Sequence, residues 1–396
     1  MRPFLPFFVV AVACAAPDRD ALRDRCAAFA ALHERHQVLL GERAELKQRV
    51  DALDAELRAL AASEAPDAAA AERLSAEHER AQGAYAEFER PSGPLWKSRV
   101  ELEAQALELE AALDAALDAE DDPELRLWRG ELLARLERYR AALPDAEAAA
   151  FARPEDPRAL RLLGRCAATR NRFADAEGLF GEAQRRDPSA EGWALLAVAH
   201  YCSNQFQAAR EAWARVEPAE VPARLRRRCR ALLEPEALAA LEQAWTEELR
   251  LRAEHPGPRV ALTLADQEVV LELFPDAAPV AVAWLLERVR QGQLSDVPVS
   301  RVLENLAVVV GASSTLDPAE QVEVDPARAR RHHFRGSVAL EHPGDGAGYG
   351  PGLLVALTPA PRLDARHLVI GRVVSGQGAL DAAREGQRLT AARVLE

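Results

Sequence analysis

RVALTLADQEVVLELFPDAAPVAVAWLLERVRQGQ, residues Arg259–Gln293, decides the fold of the C-terminal third of this chain. The runs Val260–Leu264 and Val269–Leu273 are aliphatic and β-branched, and the polar Ala265-Asp266-Gln267 between them predicts two strands joined by a tight turn. Pro279 then opens a run to Gln291 in which Val280, Trp284, Leu285 and Val289 share one face, as in an amphipathic helix. A Pro256-Gly257-Pro258 stretch just before it marks a sharp boundary, so a domain is expected over residues 258–396.

Further apolar runs follow in SRVLENLAVVVGA (Ser300–Ala312), FRGSVAL (Phe334–Leu340) and LDARHLVIGRVVSG (Leu363–Gly376), with a second helix expected from Gly376 to Arg384. Together these segments resemble a cyclophilin-type peptidyl-prolyl isomerase, which implies a closed antiparallel β-barrel capped by two helices. Such isomerases carry an arginine in a motif like F-H-R-V-I-P-G-F-M-I-Q-G-G. The matching run here is Val299-Ser300-Arg301-Val302-Leu303-Glu304-Asn305-Leu306-Ala307-Val308-Val309-Val310-Gly311. The resemblance implies Arg301 as the catalytic donor and Leu306, Ala307, Val309, Leu354, Leu363 and His367 as the substrate pocket.

Several of these positions depart from the family pattern. Leu306 and Ala307 stand for a phenylalanine and a methionine, Val309 for a backbone-anchoring glutamine, Leu354 for a phenylalanine, and Arg362 for a tryptophan. Leu363, Asp364 and His367 persist. Two functions follow. One is a divergent peptidyl-prolyl cis-trans isomerase that acts on or binds proline-containing segments of exported proteins. The alternative is a non-catalytic envelope scaffold with a degenerate barrel. The reaction requires neither metal nor cofactor, and none is expected.

Upstream, Leu163-Gly164, Asn171, Phe173, Ala176 and Phe180 recur at a constant offset as Leu196-Ala197, Asn204, Phe206, Ala209 and Trp213. The pattern resembles a tetratricopeptide repeat, in which small residues let paired helices approach and an aromatic wedges against the next pair. An earlier copy over Leu125–Phe151, a later one from Pro222 and a capping helix after Pro235 (Leu238, Leu241, Trp245 and Leu249 on one face) extend the helical region over residues 123–253. Arg161 and Arg165 lack the asparagines that would make a carboxylate clamp.

Residues 18–120 read as coiled-coil helices. Phe29, Leu32, Leu39, Leu46, Val50, Leu53, Leu57 and Leu60 follow a seam that His36 and Arg43 interrupt, and Leu102, Ala106, Leu109, Leu113 and Ala116 repeat it. A narrow apolar stripe requires a partner helix, either from the same chain as an antiparallel hairpin or from a second chain by self-association. The fold class is therefore multidomain α + β.

At the N-terminus, Arg2, the apolar Phe4–Ala13 and the small-residue Ala11-Val12-Ala13 predict an export segment over residues 1–14. Cys14 follows directly, as in a bacterial lipobox, which implies lipidation there and a periplasmic or envelope location; ordinary signal-peptidase cleavage is the alternative. The membrane is then a partner only through a lipid anchor. A net charge of −13 and the lack of a basic stripe argue against nucleic acid. The run Arg224, Arg226, Arg227, Arg228 and Arg230 reads as a solvated helix face, His332-His333 as surface loop, and Gly344–Gly350 as a flexible loop. Cys26, Cys166, Cys202 and Cys229 show no metal-ligand spacing.

Overall fold

The computed structural model describes residues 18–63, 67–228, 234–311, 331–341, 352–364 and 366–395. The export segment with Cys14, Cys229 and the glycine-rich loop lie outside these residues. The chain divides into two compact units, one of Met1–Pro154 with Pro222–Arg227, the other of Glu155–Val221 with Arg228–Glu396.

In the first unit, α1 (Arg19–Ala61) packs against both α2 (Ala68–Glu89) and α3 (Pro94–Ala119), so the same chain supplies the partner that the apolar stripe needs. Asp67 caps α2 by accepting from the backbone N–H groups of Ala69 and Ala70. Phe29 and Leu32 of α1 are buried with Leu102, Ala106, Leu109, Leu113 and Ala116 of α3, and α4 (Pro123–Arg135) closes this core with Trp128 and Leu132. The polar seam positions make cross-helix bonds: His36 Nδ1 lies 3.2 Å from Ser98 Oγ, and Arg43 reaches Glu89 and Tyr85 of α2. A helix α5 (Tyr139–Ala152) pairs with α4. Arg224 and Arg226, expected on a solvated face, are half-buried.

His33, buried in α1, is held in its neutral form. Burial first, then the nearby Arg224 and Arg135 charges, push its pKa down to about 4. The unfolded chain, titrating near the ordinary value of about 6.5, binds the proton more readily between these values. Stability from this site is thus complete above pH ~6.5 and is lost as pH falls towards ~4, by about 3 kcal/mol. Denaturant unfolding between pH 7.5 and 4.5 should show this slope for the wild type and a flatter one for His33→Gln; parallel slopes would exclude the effect.

The second unit opens with two helix pairs, α6 (Pro157–Ala168) with α7 (Phe173–Arg186) and α8 (Ala190–Cys202) with α9 (Phe206–Trp213). The repeat residues behave as their types predict. Asn171 and Asn204 take the left-handed turn (φ +59° and +63°) that asparagine tolerates, and Ala176 and Ala209 are fully buried at the helix crossings. Gly164 permits the close approach: a Cβ there would stand 2.6 Å from the Phe180 ring. Arg161 pairs with Asp187 rather than facing a groove freely.

The barrel comprises β1 (Arg259–Leu264), β2 (Gln267–Leu273), β3 (Val297–Leu303), β4 (Ala307–Val310), β5 (Ser337–Leu340), β6 (Leu353–Ala356), β7 (Leu368–Ser375) and β8 (Arg388–Leu395). It is closed and antiparallel, in the order β1-β2-β7-β5-β6-β4-β3-β8. Val299, Val308, Val310, Val338, Leu340, Leu353 and Val355 fill the interior. The Pro279–Arg290 and Gln377–Asp381 helices also pack on this core, but Val280, expected inside, is 61 % exposed while Ala281 and Val282 take the buried places.

The β1–β2 turn has positive φ at both central residues, Ala265 (+48°) and Asp266 (+62°), as a two-residue hairpin requires. Alanine is strained there. Ala265→Asn is expected to raise stability by about 0.5–1 kcal/mol, read from urea unfolding; a lower midpoint would contradict the turn assignment.

Repeats and barrel share one interface inside the second unit. Asn204 accepts from the Arg335 backbone N–H (2.9 Å) and donates to the Arg335 carbonyl (3.0 Å), while Arg335 Nη2 donates to Asn171 O. Phe334 is buried against Phe206 and Trp245. On the Pro235–Glu254 helix, Leu249 is 45 % exposed, contrary to the apolar-face reading, because its neighbour Glu248 turns inward to pair with the buried Arg372 of β7.

Candidate active site

Arg301 owes its position to an irregularity in β3. The β3–β4 register shifts between Val299 and Arg301, leaving Ser300 as the extra residue, with its Oγ donating to Val309 O at 3.2 Å. In regular pleating, residues two apart share a face. Val299 lies in the barrel interior, so an unbulged strand would turn Arg301 inward too. The bulge reverses the parity: Arg301 faces outward and Val302 returns to the core.

On the outer face Arg301 begins a row that crosses the sheet. Arg301 stands opposite Val309 on β4, Val309 opposite Leu354 on β6, and Leu354 opposite Ala339 on β5. Ala307, Val309, Leu354, Ala339, Val369 and Phe274 form one buried apolar cluster, with Leu306 and Leu363 half-buried against it. The structure thus gathers all the aliphatic pocket candidates. It also separates them into a closed floor (Ala307, Val309, Leu354) and an accessible rim (Leu306, Leu363). Arg301 is half-exposed.

His367, also half-buried, follows the Leu363 turn, its backbone N–H donating to Leu363 O at 3.1 Å. Its ring lies edge-on to His333 at 6.2 Å. His333 is fully buried, which corrects the surface-loop expectation, and both it and His332 meet the Asp364 carboxylate, at 2.8 Å and 2.7 Å. Burial alone would raise the Asp364 pKa. The hydrogen bonds from both rings and from the His333 backbone N–H outweigh it and hold the carboxyl at about 2. The same bond raises His332. This network braces the turn that carries Leu363 and His367.

One residue of the site escaped the sequence reading. Glu341, just beyond β5 and only 4 % exposed, forms an ion pair with Arg301 through its Oε1. A carboxylate ending the apolar run Ser337–Leu340, two residues beyond Ala339 and so in the same pleat, was the available signal. Among the described residues no group of His, Cys, Asp and Glu is arranged to hold a metal, and no helix is long and apolar enough to cross a membrane.

Residues 259–396 match the family of cyclophilin-type peptidyl-prolyl cis-trans isomerases, and residues 129–191 and 169–224 match the tetratricopeptide repeat family. The chain is 28 % identical over 123 residues to a peptidyl-prolyl cis-trans isomerase of Helicobacter pylori, covering 30 % of this chain and 75 % of that protein. It is 28 % identical over 147 residues to a probable peptidyl-prolyl cis-trans isomerase of Brucella suis, covering 34 % and 75 %. Among solved structures, a cyclophilin from Hirschia baltica shares 17 % identity with a TM-score of 0.28, covering 37 % of this chain and 79 % of the other.

Proposed function

Since the chain ends in a cyclophilin-type isomerase domain preceded by tetratricopeptide repeats, we propose that it catalyses cis–trans isomerisation of X–Pro bonds in exported proteins. Placement in the envelope and lipidation of Cys14 belong to the same proposal. The observation that carries it is Arg301 set outward by the Ser300 bulge at the edge of an apolar face.

The chemistry asks little of the protein. Amide resonance imposes a barrier of ~18–20 kcal/mol, and uncatalysed exchange takes tens of seconds or more. The rim formed by Leu306 and Leu363 would seat the proline ring. Donors of the Arg301 guanidinium would bond the substrate amide as its nitrogen lone pair leaves conjugation, an interaction stronger in the twisted transition state than in the planar ground state. No covalent step is required. The repeats would supply a second contact with the client chain.

A second reading, a binding scaffold without catalysis, is favoured by one feature: Ala307 and Val309 are sealed from solvent, so the ligand surface is shallower than the aliphatic residues alone suggest. Exchange spectroscopy on short X–Pro peptides with the full chain separates the two. Acceleration above background supports the enzyme. Background rates with saturable peptide binding support the scaffold, and neither binding nor acceleration would overturn both.

A further inference from the structure

Glu341 is the one charged group on the described outer face that is both buried and directed at Arg301. Its backbone N–H donates to Gly352 O, placing Glu341 beside the start of β6. From there its side chain crosses in front of Gly352 to reach a guanidinium on β3, with β6 and β4 lying between. The glycine leaves room for the crossing. A Cβ at position 352 would stand 2.8 Å from Glu341 Oε2 and 3.5 Å from Glu341 Cβ. Gly352 does not have the positive φ that would explain a glycine by conformation, so space is what it provides.

Nothing on the adjacent strand can hold Arg301 in place of this bond. Val309, directly opposite, has no polar side-chain atom, and the Ser300 hydroxyl is used on the Val309 carbonyl. A half-exposed arginine otherwise samples many rotamers, and selecting one costs side-chain entropy. The pair engages Nη2, leaving other guanidinium donors for a ligand.

We propose that Glu341 is a positioning residue for Arg301, and that Gly352 is the gap through which it acts. This role rests on the isomerase reading and places the preorganisation of its donor in a residue outside the matched arginine run. With one oxygen on the guanidinium, the carboxylate sets the fork over the Leu306–Leu363 rim before the peptide arrives. Among the described residues its other oxygen, Oε2, is buried with no hydrogen-bond partner, and Arg301 is the side chain its Oε1 meets.

The test uses the full chain with Glu341→Ala, Glu341→Gln and Gly352→Ala. Expected is a fall in kcat of about ten- to a hundredfold for Glu341→Ala, a smaller fall for Glu341→Gln, and KM within about threefold. Gly352→Ala, which displaces the Glu341 carboxylate without removing it, should lower kcat in the same direction by a smaller factor, and Glu341→Ala should add nothing in an Arg301→Ala background. Unchanged or increased kcat for Glu341→Ala, or a full additional loss beside Arg301→Ala, would overturn the proposal. A readout independent of activity is the Arg301 guanidinium NMR signal, assigned by its loss in Arg301→Lys. Restricted rotation in the wild type that is released by Glu341→Gln and Gly352→Ala supports the hold on Arg301 even if no isomerisation is seen. Free rotation in the wild type defeats it.

Discussion

Arg301→Ala is expected to lower the isomerisation kcat/KM by about a hundred- to a thousandfold while leaving the fold intact. Removing a single preorganised donor at a developing charge costs factors of this order, and in the proposed reaction one side chain supplies the donors. The residue is half-exposed and sits outside the barrel core, so its loss opens no cavity. The partner left behind, Glu341, is buried, which is the one structural cost; Arg301→Ala with Glu341→Gln separates that cost from the catalytic one. Arg301→Lys keeps the charge but not the planar fork and is expected to recover only part of the rate. Exchange spectroscopy on an Ala–Pro peptide gives the number. Retention of more than half the wild-type rate in Arg301→Ala would assign the chemistry elsewhere.

The largest stability effect is expected at Glu248→Ala. Arg372 is 3 % exposed, with Nε on Glu248, Nη1 on Arg335 O at 2.7 Å and Nη2 on Ser337 Oγ at 3.0 Å. It also stacks over Trp245, 4.7 Å from the ring centroid. Taking away the carboxylate leaves a guanidinium buried without counter-charge, a change that typically costs about 3–5 kcal/mol. Replacing both partners, as Glu248→Leu with Arg372→Met, should return most of that loss, because the desolvation penalty goes with the charges. Hydrogen exchange of the β5 and β7 amides follows the effect locally. If exchange in Glu248→Ala matches the wild type, the pair contributes nothing to holding the Pro235–Glu254 helix on the barrel.

Much of the architecture was legible because local rules act on it. The repeat residues Asn171 and Asn204 mark turns that need a left-handed residue, and Gly164 and Ala176 mark close helix contacts; each is a steric requirement visible at a single position. The α3 seam read correctly, since all five positions are buried. Val280 and Leu249 did not, for one shared reason. Periodicity locates an apolar stripe but not its centre, and in each helix a neighbour facing the core, Ala281 or Glu248, sets the rotation.

The candidate site divides along the same line. Residue type and order were enough to determine strands, helices and the repeat, because short-range sterics and hydrophobic period govern them; Arg301 stood out only through the resemblance of its run to the cyclophilin motif. Which way Arg301 faces, and what holds it, follow from strand pairing and long-range contacts. Alternation along β3 would have buried it with Val299; a bulge at Ser300, defined by pairing with β4, turned it out. Its ion pair spans 40 residues of sequence and runs past a glycine that immediately precedes a third strand. Such a contact depends on register among strands distant in the chain, and no local pattern encodes register across a closed barrel.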